Sequence, residues 1–135
     1  MNDIHKASGI IIKDKKLLVE RSKGKAFFIS PGGSIEPGET AKQALKRELK
    51  EEFDIETEED DFEHFDTSTA PAANSPEVNV IMETYMVKKY AGEPTPSSEV
   101  EELRWVTMAD IGNLPMGSIF EHTVMPKLSE MGLID

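Results

Sequence analysis

The chain has 135 residues and a formal net charge of -11 at pH 7, from 26 acidic against 15 basic side chains. That balance opposes nucleic-acid polymers and anionic membrane surfaces, which both need concentrated Lys and Arg, and the length closes one core rather than two. Without cysteine there is no disulfide, thiolate zinc site or cysteine nucleophile.

The longest apolar runs, such as Gly9–Ile12 and Ala26–Ile29, are far too short to span a bilayer. The N-terminal MNDIHKASG lacks the basic and long apolar regions of a secretory signal. The expectation is a single cytoplasmic domain over 1–135, monomer or homodimer, with no membrane or nucleic-acid partner. The acidic run Glu56–Asp61 reads as a solvated connector.

In chain order, Ala7–Lys13 and Lys16–Arg21 are aliphatic and β-branched runs separated by Asp14-Lys15, the pattern of a hairpin. Arg21 ends the second strand, either as a solvated strand end or as a phosphate contact. Ser22–Lys25 reads as a turn, and Ala26–Ser30 as a short strand running into Pro31-Gly32-Gly33. Pro37-Gly38 predicts a tight turn. Thr40 and Gln43 then form a capping-box pattern for a helix from Ala41 to about Phe53.

At about 100° per residue, Leu45, Leu49 and Phe53 share a core-facing stripe, while Lys46 and Lys50 point to solvent. Glu48, Glu51 and Glu52 occupy a third sector. Like charges at these spacings cost a few tenths of a kcal/mol per pair. A hard divalent cation reverses that repulsion, and it would also reconcile an acidic protein with an anionic phosphate substrate. Against this stands the ordinary reading of a solvated glutamate face. The preceding Gly32-Gly33 allows close backbone approach and exposed carbonyls; with no following GKS or GKT it is not a P-loop.

Further on, Phe62–Thr69 and Val78–Lys88 read as strands, with a Pro-containing loop over Ala70–Pro76 between them. Tyr90–Ser98 reads as a loop, Leu103–Val106 as a last strand, Met108–Asn113 as one helical turn, and Ser118–Met131 as a closing helix ended by Gly132. His5, His64 and His122 lack ligand spacing, and the seven methionines read as core filler. Phe28 and Trp105 are expected to pack in the core. Ser30 and Ser34 lack the setting of a nucleophilic serine.

Gly33, five residues, Glu39, seven residues, then Arg47-Glu48-Leu49-Lys50-Glu51-Glu52-Phe53-Asp54-Ile55 resembles the Nudix box of small MutT-like proteins. The one departure is Asp54, where that motif has a helix-ending glycine; Asp tolerates the left-handed conformation such a position takes. The resemblance implies an α/β fold, an α/β/α sandwich around a mixed β-sheet with a loop–helix–loop catalytic motif. It implies hydrolysis of a phosphoanhydride in a nucleoside diphosphate linked to another moiety, with Mg2+ or Mn2+.

By position, the resemblance makes Glu48, Glu51 and Glu52 metal ligands or bases and gives the metal the Gly33 carbonyl. Arg47 would orient a glutamate by ion pairing, and Glu39 would support the loop or a metal-bound water, on the substrate-binding side with Arg21. The base is Glu48 or a loop glutamate, of which Glu99 is the first candidate and Glu101 and Glu102 are its competitors. The substrate is a small nucleotide, either a nucleoside triphosphate or an ADP-ribose-like molecule; Pro71, sixteen residues past Ile55, hints at the latter. The alternative is a non-catalytic nucleotide-sensing module on the same fold.

Overall fold

The computed structural model describes residues 3–72, 75–116 and 123–135. Strand β1 (Ile4–Ile10) is followed by the short β2 (Ile12–Lys13), β3 (Lys16–Ser22) and β4 (Gly32–Ser34). After helix α1 (Ala41–Phe53) come the long strands β5 (Phe62–Ala72) and β6 (Ser75–Val87), then β7 (Val100–Val106) and helix α2 (Met125–Glu130). One sheet has the order β4-β1-β6-β5 and is mixed, since β1 runs parallel to β6 and its other pairings are antiparallel. The second, β2-β3-β7, is antiparallel.

Period-two alternation explains how two helices cover this platform. In β3, Leu18 joins the core beneath α1, with Leu45, Leu49, Phe53 and Ile55. Leu17 and Val19 join a second core cluster beneath α2, with Phe28, Met125 and Leu128; one core was expected, but alternation along the strands puts an apolar layer on both faces. The layers are therefore helix, sheet and helix, as expected. Asp14 and Lys15 both have positive φ, 53° and 61°, the left-handed pair that closes a two-residue hairpin between β2 and β3.

Several local expectations change. The first run is divided, with Ile4–Ile10 pairing in the mixed sheet and Ile12–Lys13 in the other. Ala26–Ser30 is not a regular strand. It is held by isolated bridges from Ile29 to Glu20 and from Phe28 to Met116. Gly32–Ser34, for which no strand was expected, is an edge strand on β1. Ala70–Pro76 is mostly strand: β5 runs through Pro71 to Ala72, and Pro71 lies on an edge strand beside a register shift, where a missing N–H is tolerated. Trp105 is 36% exposed rather than in the core, because β7 is itself an edge.

Of the closing helix, Met125–Glu130 is observed; residues 117–122, including His122, lie outside the described residues. Among the described residues no helix is long and apolar enough to cross a membrane.

Candidate active site

Helix α1 is built as its sequence dictates. The Thr40 hydroxyl accepts from the Gln43 N–H at 3.1 Å, and the Gln43 side chain accepts from the Thr40 N–H at 2.9 Å, a cap worth about 1 kcal/mol. At the other end Asp54 sits at φ 55°, ψ 39° and its N–H reaches the Leu49 and Lys50 carbonyls. Asp54 thus does the work of the motif's glycine. Ala44, Leu45, Leu49 and Phe53 are buried and press the helix onto the sheet. Lys50 bonds Asp54 at 2.9 Å and Glu56 at 2.6 Å, and Lys46 meets Glu58 at 3.7 Å. Part of the acidic connector therefore neutralises the basic face of α1 rather than being merely solvated.

The Gly32-Gly33 pair is clamped to β1, with Ser8 opposite Gly32 and Ala7 opposite Gly33. A Cβ on Gly32 would lie 2.1 Å from the Ala7 carbonyl oxygen, and Gly32 has φ +141°. A Cβ on Gly33 would lie 2.6 Å from the Glu48 carboxyl carbon and 2.7 and 2.9 Å from its oxygens. The first glycine lets two strands meet; the second lets backbone touch a carboxylate.

Arg47 is the hub that holds the loop to the helix. It donates from Nε to Glu39 Oε2 at 2.8 Å, from Nη2 to Glu39 Oε1 at 2.9 Å and to the Ser34 carbonyl at 3.1 Å, and from Nη1 to Glu48 Oε1 at 2.8 Å. This bidentate fork fixes Glu39 beneath the turn, where Glu39 also accepts from the Glu36 N–H at 3.0 Å. The Arg47 hydrogen bonds, with that backbone bond, hold the Glu39 carboxyl down at about 2. Glu51 points outward and lies 3.5 Å from Arg47.

Glu52 is turned inward. Burial first, then the facing charges of Glu20 and Glu48, push its carboxyl up to about 9. Glu20 was not anticipated. It is fully buried in β3, and burial pushes its carboxyl up to about 7. The signal was in Lys16–Arg21: alternation that sends Leu18 toward α1 sends Glu20 there as well, and an acid in that inward sequence of aliphatics is anomalous. The structure therefore gathers Glu20, Glu48 and Glu52 into one group, with Glu48 against Gly33.

Arg21 falls on the other side of the alternation. It donates to Glu102 at 3.5 Å and to the Lys25 carbonyl at 3.3 Å, with its guanidinium 5.9 Å from the Phe28 ring centre. Glu99 is exposed on the loop before β7 and has no side-chain hydrogen bond or ion pair among the described residues. Its loop is tied to the end of α1, since the Ser97 N–H donates to the Glu52 carbonyl at 2.9 Å and the Thr95 N–H to that of Phe53 at 2.9 Å. Glu102 is engaged by Arg104 and Arg21, which hold it below its ordinary range, so it is less free to act as a base than Glu99.

Among the described residues no three acids or imidazoles already converge at metal-ligand geometry. The donor set nevertheless fits a hard divalent cation: carboxylate oxygens, of which Glu52 Oε1 and Glu20 Oε2 are buried without any hydrogen-bond partner.

The NUDIX domain family model matches residues 3–128. The chain belongs to the Nudix hydrolase family. This Nudix hydrolase is 34% identical over 120 residues to an 8-oxo-dGTP diphosphatase of Haemophilus influenzae, covering 83% of each chain. It is 49% identical over 47 residues to an ADP-ribose pyrophosphatase of Methanocaldococcus jannaschii, a match spanning 33% of this chain and 28% of that protein. In fold it resembles MutT, in a structure from work on the Aliivibrio salmonicida and Vibrio cholerae proteins, with a TM-score of 0.75 and 24% identity over 96% of this chain and 99% of that one. Membership makes it a pyrophosphohydrolase, an enzyme acting on acid anhydrides.

Proposed function

We propose that the chain is a single-domain, divalent-cation-dependent hydrolase of a nucleoside triphosphate, cleaving one phosphoanhydride and releasing a nucleotide and a phosphate-bearing leaving group. The observation that carries the cation requirement is the gathering of Glu48 and Glu52 beside Gly33, with a Glu52 oxygen buried and unpartnered. The triphosphate is favoured over an ADP-ribose-like substrate because the likeness to a triphosphate-acting relative extends over most of both chains, whereas the likeness to the ADP-ribose pyrophosphatase covers 47 residues. Pro71 adds little to the ADP-ribose reading, since an edge-strand position explains it.

In this reading Glu48, Glu51 and Glu52, with the Gly33 carbonyl, hold Mg2+ or Mn2+. When bound, the cation offsets the charge of the phosphates and acidifies water at the reacting phosphorus. Arg47 keeps Glu48 and Glu39 in fixed positions, so the carboxylates are preorganised rather than recruited. Glu39 braces the turn before α1, from which it would support bound substrate. Glu99 takes the proton from the attacking water, its loop held to α1 by the Ser97 bond. Arg21 has a partner in Glu102, so a phosphate contact from it requires that half-buried pair to open.

The test is a panel of nucleoside triphosphates, ADP-ribose and dinucleoside polyphosphates with Mg2+, products identified by chromatography. The proposal expects turnover of a triphosphate. Preferential turnover of ADP-ribose would reject the substrate class. Tight binding without turnover of any of them would reject catalysis in favour of the sensing module.

A further inference from the structure

The carboxylate that the Nudix box does not contain is Glu20. Its backbone is locked, because it exchanges two 2.8 Å hydrogen bonds with Ile29. Its side chain is fully buried on the α1 side of β3. The Ser22 hydroxyl donates to Oε1 at 3.4 Å, while Oε2 has no partner. Glu20 also takes part in no ion pair among the described residues. Its chain neighbour Arg21 is turned away toward Glu102 and Phe28.

Burying a carboxylate with an unsatisfied oxygen is costly, and a second acid facing it adds to that cost. Glu52 does face it, also with an unpartnered oxygen, and Glu48 stands beside both. A plain core would carry Gln, Leu or Val at position 20. Two facing carboxyls, each with a buried oxygen that has no hydrogen-bond partner, are what a hard cation binds.

We propose that Glu20 is a further ligand of the divalent cation, sharing it with Glu52 from the opposite wall of the site. The cation is then held between β3 and α1, and its binding joins the two elements. This rests on the cation-dependent reading above and adds to it a ligand outside the box.

The experiment uses Mn2+ alone as probe, titrated into the full chain without nucleotide and followed by the electron paramagnetic resonance signal of free Mn2+. Glu20→Gln is the isosteric neutral variant, Glu20→Asp keeps the charge, and Glu52→Gln is the reference. Circular dichroism checks that each is folded. The expected result is that Glu20→Gln loses one bound Mn2+ or weakens its binding at least tenfold, as Glu52→Gln does, and that Glu20→Asp recovers part of the loss. Wild-type number and affinity in Glu20→Gln, with Glu52→Gln impaired, would overturn the role of Glu20 and leave the family reading intact. Failure of the wild-type chain to bind Mn2+ or to hydrolyse any nucleotide would overturn both. If Glu20→Gln does not fold, Glu20→Asp decides alone: a shortened ligand shifts Mn2+ affinity, and unchanged affinity overturns the proposal.

Discussion

Two adjacent glycines are present for different reasons, and alanine at each should separate structure from chemistry. At Gly32 the added Cβ meets backbone, 2.1 Å from the Ala7 oxygen and 2.8 Å from the Ser8 Cα, and the residue must hold φ +141°. Strain at such a φ costs about 1–3 kcal/mol, and forcing two paired strands apart costs another 1–3 kcal/mol. Gly32→Ala should therefore lose about 2–6 kcal/mol, a large share of the stability of a domain this size. At Gly33 no positive φ is needed, and the Cβ meets only the end of the Glu48 side chain at 2.6 Å. That carboxylate must retreat to an ordinary 3.4 Å contact, a shift of about 0.8 Å. Gly33→Ala should cost less than about 1 kcal/mol in urea unfolding, as an accommodated side-chain change does. Its Mg2+-dependent turnover should fall on the order of a hundredfold, as displacements of this size do. The assays are urea titration by circular dichroism and initial rates of triphosphate hydrolysis. Equal destabilisation by both alanines, or full activity in a folded Gly33→Ala, would refute the division of labour.

Other outcomes follow from the same contacts. Glu39 is held at about 2, below its ordinary 4.5, by Arg47 and the Glu36 N–H, so it stabilises the fold above pH 4.5 and that contribution is lost as pH falls toward 2. The stability gap between wild type and Glu39→Gln should thus be constant at neutral pH and close between pH 4.5 and 2; a gap unchanged at pH 2 would contradict the Arg47 link. Leu49 is fully buried on the core stripe of α1, and Leu49→Ala should cost about 2–5 kcal/mol by urea titration. Asp54→Gly should stay within about 1 kcal/mol of wild type, since relief of the left-handed strain offsets loss of the exposed Lys50 pair, whereas Asp54→Val should lose about 2 kcal/mol. Equal stability of the Gly and Val variants would show that the helix end does not need that conformation.

Helix α1 was legible almost to the residue, because capping box, helix formers and stripe all agree between Thr40 and Asp54. The spacing of Gly33, Glu39, Arg47 and Glu48 was legible for a related reason: they lie within one short stretch, so local geometry carries them together. Glu20 was harder to read because it comes from a strand distant in sequence, and only its inward register betrays it. Gly32–Ser34 was missed as a strand because two glycines carry no β preference; pairing with β1 decides it. Pro71 misled in the opposite sense, since a proline in a loop-like sequence is tolerated on the outer edge of a sheet. The exposed position of Trp105 depends on which strand forms that edge, a property of the assembled sheet.

The most direct test of the central claim, that buried carboxylates hold a catalytic cation, is triphosphate hydrolysis by wild type and Glu52→Gln at pH 8 with Mg2+ and with EDTA. EDTA should abolish wild-type turnover, and Glu52→Gln should be a folded protein with activity reduced by on the order of a hundredfold or more. Hydrolysis by Glu52→Gln at the wild-type rate, or wild-type turnover that persists in EDTA, would contradict that claim.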